Sequence, residues 1–320
     1  MNASTKVAAG VALFISSALA LAQYGAAPAK APTAAPAPVV KEGTTVKVSE
    51  HVYVIPDEKV GMVPNVGIIV GSKATLIVDP GMGMRSGEAV LHEAKKVAKS
   101  GEVFLVNTHF HPEHTTGEVA FPASVKLFRA AAQQQDVDEM GMKWVEIFAK
   151  RSQVIADVLK GAAFRTPAEI FEKEKTLDLG GVRVRILRLG PGHTRGDTVM
   201  FVEGDGVLFS GDLAMKGLFP AFATPQSSGR TWLTSLDEMD KFKARTVVGS
   251  HYPIADGSVV NDYRVYLKVL QARVGELKKQ GKSSEETVAL VKDEFTKKYS
   301  SWDQPVRIEA AAAALYKEAE

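Results

Sequence analysis

Thr108-His109-Phe110-His111-Pro112-Glu113-His114 follows an apolar run at residues 103–106 and precedes Thr115-Thr116-Gly117. Three histidines and a carboxylate crowd this segment, in a chain that holds only 7 histidines. Neutral imidazole and carboxylate suit zinc, with ligand bonds of ~2.0–2.2 Å. Side chains alternate along extended backbone. His109 and His111 therefore point to one side, Glu113 continues that period, and His114 turns toward a neighbouring position. A segment this short can serve two adjacent metals. The chain has no cysteine, so a thiolate nucleophile and a disulfide framework are both excluded, and any metal rests on His, Asp or Glu.

Working outward, four more segments place a polar side chain where an apolar run meets a turn. Gly190-Pro191-Gly192-His193-Thr194 follows an alternating, strand-like stretch at residues 182–189. Its glycines allow a sharp turn that delivers His193 at the strand end. Phe209-Ser210-Gly211-Asp212-Leu213 ends another run, and Gly249-Ser250-His251-Tyr252-Pro253 follows Val247-Val248. In Val78-Asp79-Pro80-Gly81, the aspartate either orients a ligand imidazole through its second nitrogen or caps the turn. His51, at the start of a strand, and His92, within a helix, fall outside this pattern.

Strands alternate with helices from Thr44 onward with no internal repeat, which points to an α/β architecture in one domain over residues 44–320. Ser86 is placed to cap a helix through Val90, Leu91, Ala94 and Val97. Residues 130–159 have helical spacing broken by Gly141, and the tail reads as three helices over 262–280, 283–299 and 305–320. Ser283 with Glu286 fits a capping box. Ahead of the domain, residues 1–22 read as an export signal, with Lys6, an apolar stretch and Ala20-Leu21-Ala22. Residues 23–43 are an Ala/Pro-rich linker. These features predict a periplasmic or secreted protein of a bacterial envelope, with no stable membrane span after cleavage. With 39 Lys+Arg against 37 Asp+Glu the net charge is +2, too small a field to hold nucleic acid.

The order HxHx(D/E)H, Gly-His-Thr, Ser-Gly-Asp and a late Gly-x-His resembles the metallo-β-lactamase-fold hydrolase superfamily, over about residues 46–252. That resemblance implies an αββα sandwich (α/β, or α+β), here with a helical insert and a helical C-terminal tail, and with metals at one edge between the sheets. It implies that His109, His111 and His193 hold one metal and that Glu113, His114 and His251 hold a second. Asp212 would bridge them, and Asp212 and Glu113 would be the catalytic carboxylates. Two zinc ions with a shared hydroxide would then cleave a small amide, ester, lactone, thioester or β-lactam bond. Glu113 stands where the family has Asp, and one methylene moves the carboxylate out by ~1.5 Å. Asp212 stands where the thiolate-containing lactamases have Cys. Export, the insert, the run around Asp212 and the tail are also similar to periplasmic zinc metallohydrolases of quinoprotein and sulfur-oxidation systems. The alternative is a mononuclear iron enzyme resembling the persulfide dioxygenases, with His109, His193 and Asp212 as the iron face. A metal-binding scaffold without turnover is a third reading.

The partner is a small-molecule substrate. The long segment 214–230 follows Asp212 and carries little charge, so it is expected to line a pocket with Lys216 and Phe219. Arg230 is a second cation for a substrate carboxylate. Phe110, between two ligands, and Tyr252, beside His251, are further candidate walls. The insert is a candidate lid, though its apolar spacing also fits a core.

Overall fold

The computed structural model describes residues 37–319. The expected export signal, and the expected linker up to residue 36, lie outside the described residues. Packing begins before Thr44, because Val40 is only 3% exposed and its N–H bonds the Ser86 hydroxyl.

Seven strands lie side by side in chain order: β1 (Val46–Lys47), β2 (Val52–Ile55), β3 (Val66–Val70), β4 (Ala74–Val78), β5 (Glu102–Val106), β6 (Lys126–Ala130) and β7 (Glu169–Phe171). Six more are β8 (Glu174–Asp178), β9 (Arg183–Arg188), β10 (Thr198–Val202), β11 (Val207–Gly211), β12 (Thr246–Gly249) and β13 (Ala255–Asp256). They form a second sheet in the order β13-β12-β11-β10-β9-β8. The helices are α1 (Gly83–Val97), α2 (Pro112–Thr115), α3 (Ala131–Asp136), α4 (Met142–Ala149), α5 (Gln153–Val158), α6 (Gly229–Asp240), α7 (Ser258–Lys279), α8 (Ser284–Lys298) and α9 (Arg307–Glu318).

Central strands are continuous apolar runs because both of their faces are covered. In β3 and β4, Ile69, Leu76 and Val78 meet Ile186, Met200, Phe209 and Val248 of the other sheet. The alternate residues Val66, Ile68, Val70 and Ile77 pack under Ala89, Val90 and Ala94 of α1. Behind the second sheet, Val199, Leu208 and Val247 lie in one core with residues of α6, α7, α8 and α9. The result is the expected αββα sandwich, with a helical insert and a helical tail.

The two sheets bring the ends of parallel strands together. β4 runs parallel to β5, and β11 runs parallel to β12. Asp79, His109, Asp212 and His251 each follow the carboxyl end of one of these four strands. In open α/β sheets ligands bind in the crevice outside such ends.

Two local expectations change. Helix α1 starts at Gly83, so Ser86 lies buried inside its first turn rather than capping it. The insert is not broken at Gly141. A π-turn at Val137–Gly141 carries α3 into α4. The actual break precedes Ser152, whose hydroxyl accepts from the Ile155 N–H and caps α5. A Cβ on Gly141 would lie 2.8 Å from the Phe164 ring, so that glycine serves close packing. The capping box of Ser283 and Glu286 is present at α8.

Candidate metal centre

β5 ends at Val106, and the chain bends through residues 108–111 before Pro112 opens α2. Proline suits that first helical position because it lacks the N–H that would be unsatisfied there. The helical turn brings Glu113 and His114 together beside His251. Thus one segment serves two positions, with the switch at Pro112.

His109, His111 and His193 place ligand atoms within 4.8 Å of one another, as do His109, His114 and Asp212, and Glu113, His114 and His251. His109 Nε2 and His193 Nε2 lie 3.1 and 3.2 Å from His111 Nδ1. His193 Nδ1 donates to the Ala221 carbonyl at 2.6 Å, so its Nε2 carries a bare lone pair. Thr108 Oγ1 donates to Asp79 at 2.8 Å and accepts from His109 Nδ1 at 3.1 Å, which leaves His109 Nε2 bare as well. His111 Nδ1 has one hydrogen at most and cannot satisfy both neighbours. Converging lone pairs of this kind call for a cation.

His251 Nδ1 donates to the Val63 carbonyl at 2.9 Å, and His114 Nδ1 donates to Asp79 at 2.9 Å. Fixing the outer nitrogen sets the tautomer and aims the inner one. The buried atoms His114 Nε2, His111 Nε2, Glu113 Oε2 and Asp212 Oδ1 have no hydrogen-bond partner. A buried polar atom without a partner is costly, and a divalent cation accounts for His114 Nε2, Glu113 Oε2 and Asp212 Oδ1 at once. The donor set fits zinc.

Burial holds His109 and His111 well below the usual imidazole value, and the neighbouring imidazoles add to this. Burial also lowers His251. All three are therefore neutral, which is the ligating form. Burial acts against a charged His114, but the Asp79 carboxylate outweighs it and lifts the ring to about 9. Burial would raise Asp212, yet the charges of His193, His251, His114 and Arg307 hold its carboxyl well below the usual range.

Asp79 sits at φ 60°, a left-handed conformation that Asp tolerates better than most residues. There it accepts from the Thr108 N–H at 2.7 Å, the Thr108 hydroxyl and His114. It braces the loop and orients an imidazole together, so the two readings of this residue are one. Asp79→Asn turns a donor toward these donors. Metal affinity is expected to fall about 10- to 100-fold, read by competition with a chelator; an unchanged affinity would show that Thr108 alone suffices.

Two positioning residues gave no sequence signal. Asp197 accepts from the N–H groups of Gly192, His193 and Thr194 at 3.0, 2.7 and 3.0 Å, locking the His193 turn. Asn65 donates to the carbonyls of Gly249 and Tyr252, both at 2.8 Å, and holds the His251 turn. Only their places, four residues after His193 and just before β3, could have hinted at either. Gly192 serves space rather than an unusual φ, since a Cβ there would lie 2.6 Å from Leu213.

The expected walls are distributed differently. Phe110 is 0% exposed, behind His111 and edge-on to Trp144 at 5.9 Å. Phe219 is also 0% exposed and packs on Trp302 and Tyr266. Neither offers a surface to a substrate, because each fills a core. Lys216 is exposed, and its charge acts on Asp256 and Asp262 near the start of α7. Arg230 is tied to Glu318 of α9. Trp144 of the insert does reach the centre, tilted over the His111 ring at 4.4 Å. Tyr252 lies beside His251, half-buried, with its N–H on Asp57 at 2.8 Å.

The sequence profile of the metallo-beta-lactamase superfamily matches residues 60–251. The linear primary-alkylsulfatase of a Pseudomonas strain is 23% identical over 214 residues, 58% of this chain and 40% of that protein. The human acyl-coenzyme A thioesterase MBLAC2 is 26% identical over 169 residues, 48% of this chain and 59% of its own. The chain thus spans about half the length of the curated relatives it matches. The solved structure of the inverting sec-alkylsulfatase Pisa1 from Pseudomonas superposes with a TM-score of 0.67 at 17% identity, over 86% of this chain and 50% of that one. That likeness is one of fold.

Proposed function

The chain belongs to the metallo-β-lactamase superfamily, and from that membership we propose that it is a hydrolase acting through two divalent metal ions. The carrying observation is the convergence of ring nitrogens that cannot bond one another, with unpartnered carboxylate oxygens of Glu113 and Asp212 beside them. His109, His111 and His193 hold one ion, Glu113, His114 and His251 the other, and Asp212 lies between. Two such ions supply a water acidic enough to ionise near neutral pH and a Lewis acid for the substrate oxygen.

The protein's own groups do the rest. Asp212 stays ionised and keeps the centre's charge balanced. Asp79, Ala221 and Val63 hold the rings still, so little reorganisation accompanies the reaction. Trp144 covers His111 and keeps bulk water from that side. Burial and the neighbouring Asp303 push the Tyr252 phenol up to about 12, so it stays a neutral hydrogen-bond donor. The bond cleaved is an acyl bond of an ester, thioester, lactone or lactam. MBLAC2's name as an acyl-coenzyme A thioesterase supports the thioester among these.

The test is a panel of an aryl ester, a thioester, a lactone, a β-lactam and an aryl sulfate, run with zinc-loaded and chelator-treated protein. Metal-dependent turnover of an acyl substrate is expected. Turnover of the sulfate alone would reassign the reaction, and turnover unaffected by the chelator would remove the metals from it.

Glu113 lies in the first turn of α2 with Oε1 3.9 Å from His114 Nε2, so its extra length already reaches the second ligand cluster. Glu113→Asp is expected to keep two ions per chain, the second bound no more than about tenfold weaker. Loss of that ion in metal titration would mean that the backbone is placed for the longer side chain.

A further inference from the structure

The helical insert is bonded to both chain segments that carry His109, His111 and His193. Its first helix, α3, follows β6 and the buried Arg129. That guanidinium donates to Gln134 of α3 at 2.8 Å and to Glu118, just beyond the His109–His114 segment. Further along the insert, Trp144 of α4 tilts over the His111 ring at 4.4 Å. A third contact is with the turn that carries His193. Asp136, the last residue of α3, is 0% exposed. Its Oδ2 accepts the Gly196 N–H at 3.0 Å, and its Oδ1 lies 3.4 Å from Arg195 Nε. Arg195 Nη2 in turn donates at 2.7 Å to Glu139, which lies within the π-turn that joins α3 to α4. Such turns gather at functional sites.

The approach of the two backbones is close. A Cβ on Gly196 would lie 2.3 Å from the Gln133 Cα, so glycine is what lets the His193 turn seat on α3. The turn is therefore held from two sides. Asp197 takes the N–H groups of Gly192, His193 and Thr194 from within it, and Asp136 takes that of Gly196 from the insert. Just beyond, the Thr198 N–H bonds the carbonyl of Thr108, one residue before His109. The other ligand group is braced by different elements. Asn65 and Asp57, between β2 and β3, hold the turn of His251, and Asp79 holds His114.

We infer that Asp136 is a positioning residue for the ion assigned to His109, His111 and His193: by holding Gly196 it fixes the His193 turn to the insert, and so sets how tightly that ion is bound. This rests on the two-ion reading above. It gives the insert a part in building the metal centre as well as covering it. Burial pushes the Asp136 carboxyl up to about 7, despite the Arg195 charge. A neutral acceptor therefore suits the place nearly as well as a charged one.

Zinc affinity is measured by competition with a chelator on the full chain, as wild type, Asp136→Asn and Asp136→Ala. Asparagine keeps an oxygen that accepts the Gly196 N–H, and alanine does not. In Asp136→Ala one of the two zinc dissociation constants is expected to rise about 10- to 100-fold while the other stays in place. Asp136→Asn is expected to keep both within about threefold of wild type. His251→Ala, which removes a ligand of the second ion, identifies the constant: the one moved by Asp136→Ala is the one that His251→Ala leaves in place. Both constants weakened alike, or neither, overturns the proposal, since general loosening spares neither ion. Should the alanine chain not fold, Asp136→Val fills the space without an acceptor and carries the same expectation. The second readout is hydrogen exchange of the metal-free protein. Exchange across residues 192–198 is expected to quicken about tenfold in Asp136→Ala and to stay as in wild type in Asp136→Asn. Unchanged exchange in Asp136→Ala also overturns the proposal. If wild type binds fewer than two zinc ions, the two-ion reading fails, while the exchange measurement still decides whether Asp136 holds the His193 turn.

Discussion

His111→Ala is expected to lower turnover by about three orders of magnitude or more, with the fold retained. His111 Nδ1 stands between His109 Nε2 and His193 Nε2, at 3.1 and 3.2 Å, so its loss leaves two imidazoles where three converge. Burial keeps the ring neutral and its lone pair free. Metal ions in such sites contribute several kcal/mol of transition-state stabilisation, and each ~1.4 kcal/mol is tenfold in rate. The ring is packed by Phe110 and Trp144, at 4.8 and 4.4 Å, but it anchors no strand or helix. Circular dichroism should therefore match wild type while metal content falls. Turnover within tenfold of wild type, at full folding, would remove His111 from the reaction.

Arg129→Leu should give the largest stability loss. Arg129 and Glu118 are both 0% exposed. The Arg129 Nη2 donates to the two Glu118 oxygens at 3.0 and 2.8 Å, and its Nη1 donates to Gln134 and to the Arg165 carbonyl. Glu118 also accepts the Arg165 N–H at 2.6 Å. The pair ties the turn leaving the His109–His114 segment to β6. Removing one partner strands the other charge, which costs about 3–5 kcal/mol. Denaturant unfolding measures it, and a loss below about 1 kcal/mol would show that water reaches Glu118. The pH dependence has a definite sign. Burial already raises Glu118 above its ordinary 4.5, despite Arg129. Without Arg129 the folded state binds that proton more tightly than the unfolded one. Relative to wild type, the deficit should thus grow only once pH passes the already raised wild-type value of Glu118, and the variant should lose stability further toward neutrality. Adding Glu118→Leu to Arg129→Leu should recover much of the loss.

Much of the centre was legible because its chemistry is dense over short distances. Four ligand candidates fall in one turn of chain, and Asp212 and His251 each follow a short apolar run. The sandwich was legible for a related reason: β3, β4, β11 and β12 are buried on both faces and so read as unbroken apolar runs. β7 and β8 left little mark, because Glu169, Glu174, Thr176 and Asp178 line their exposed sides. Residues that hold the ligands were harder to see. Asp197 and Asn65 act through backbone groups brought near by tertiary folding, and no local pattern distinguishes them from turn formers. Phe110 and Phe219 show the converse error. Aromatic residues beside ligands suggest a pocket wall, but packing against Trp144 and Trp302 turned them inward.

The central claim is a pair of divalent ions held by seven side chains. The direct measurement is metal content per chain of the purified protein by elemental analysis, repeated for Asp212→Ala. Two zinc ions per chain in wild type, falling to one or none in the variant, is the result this account predicts. A single iron per chain, or no metal retained after dialysis against zinc, would contradict it.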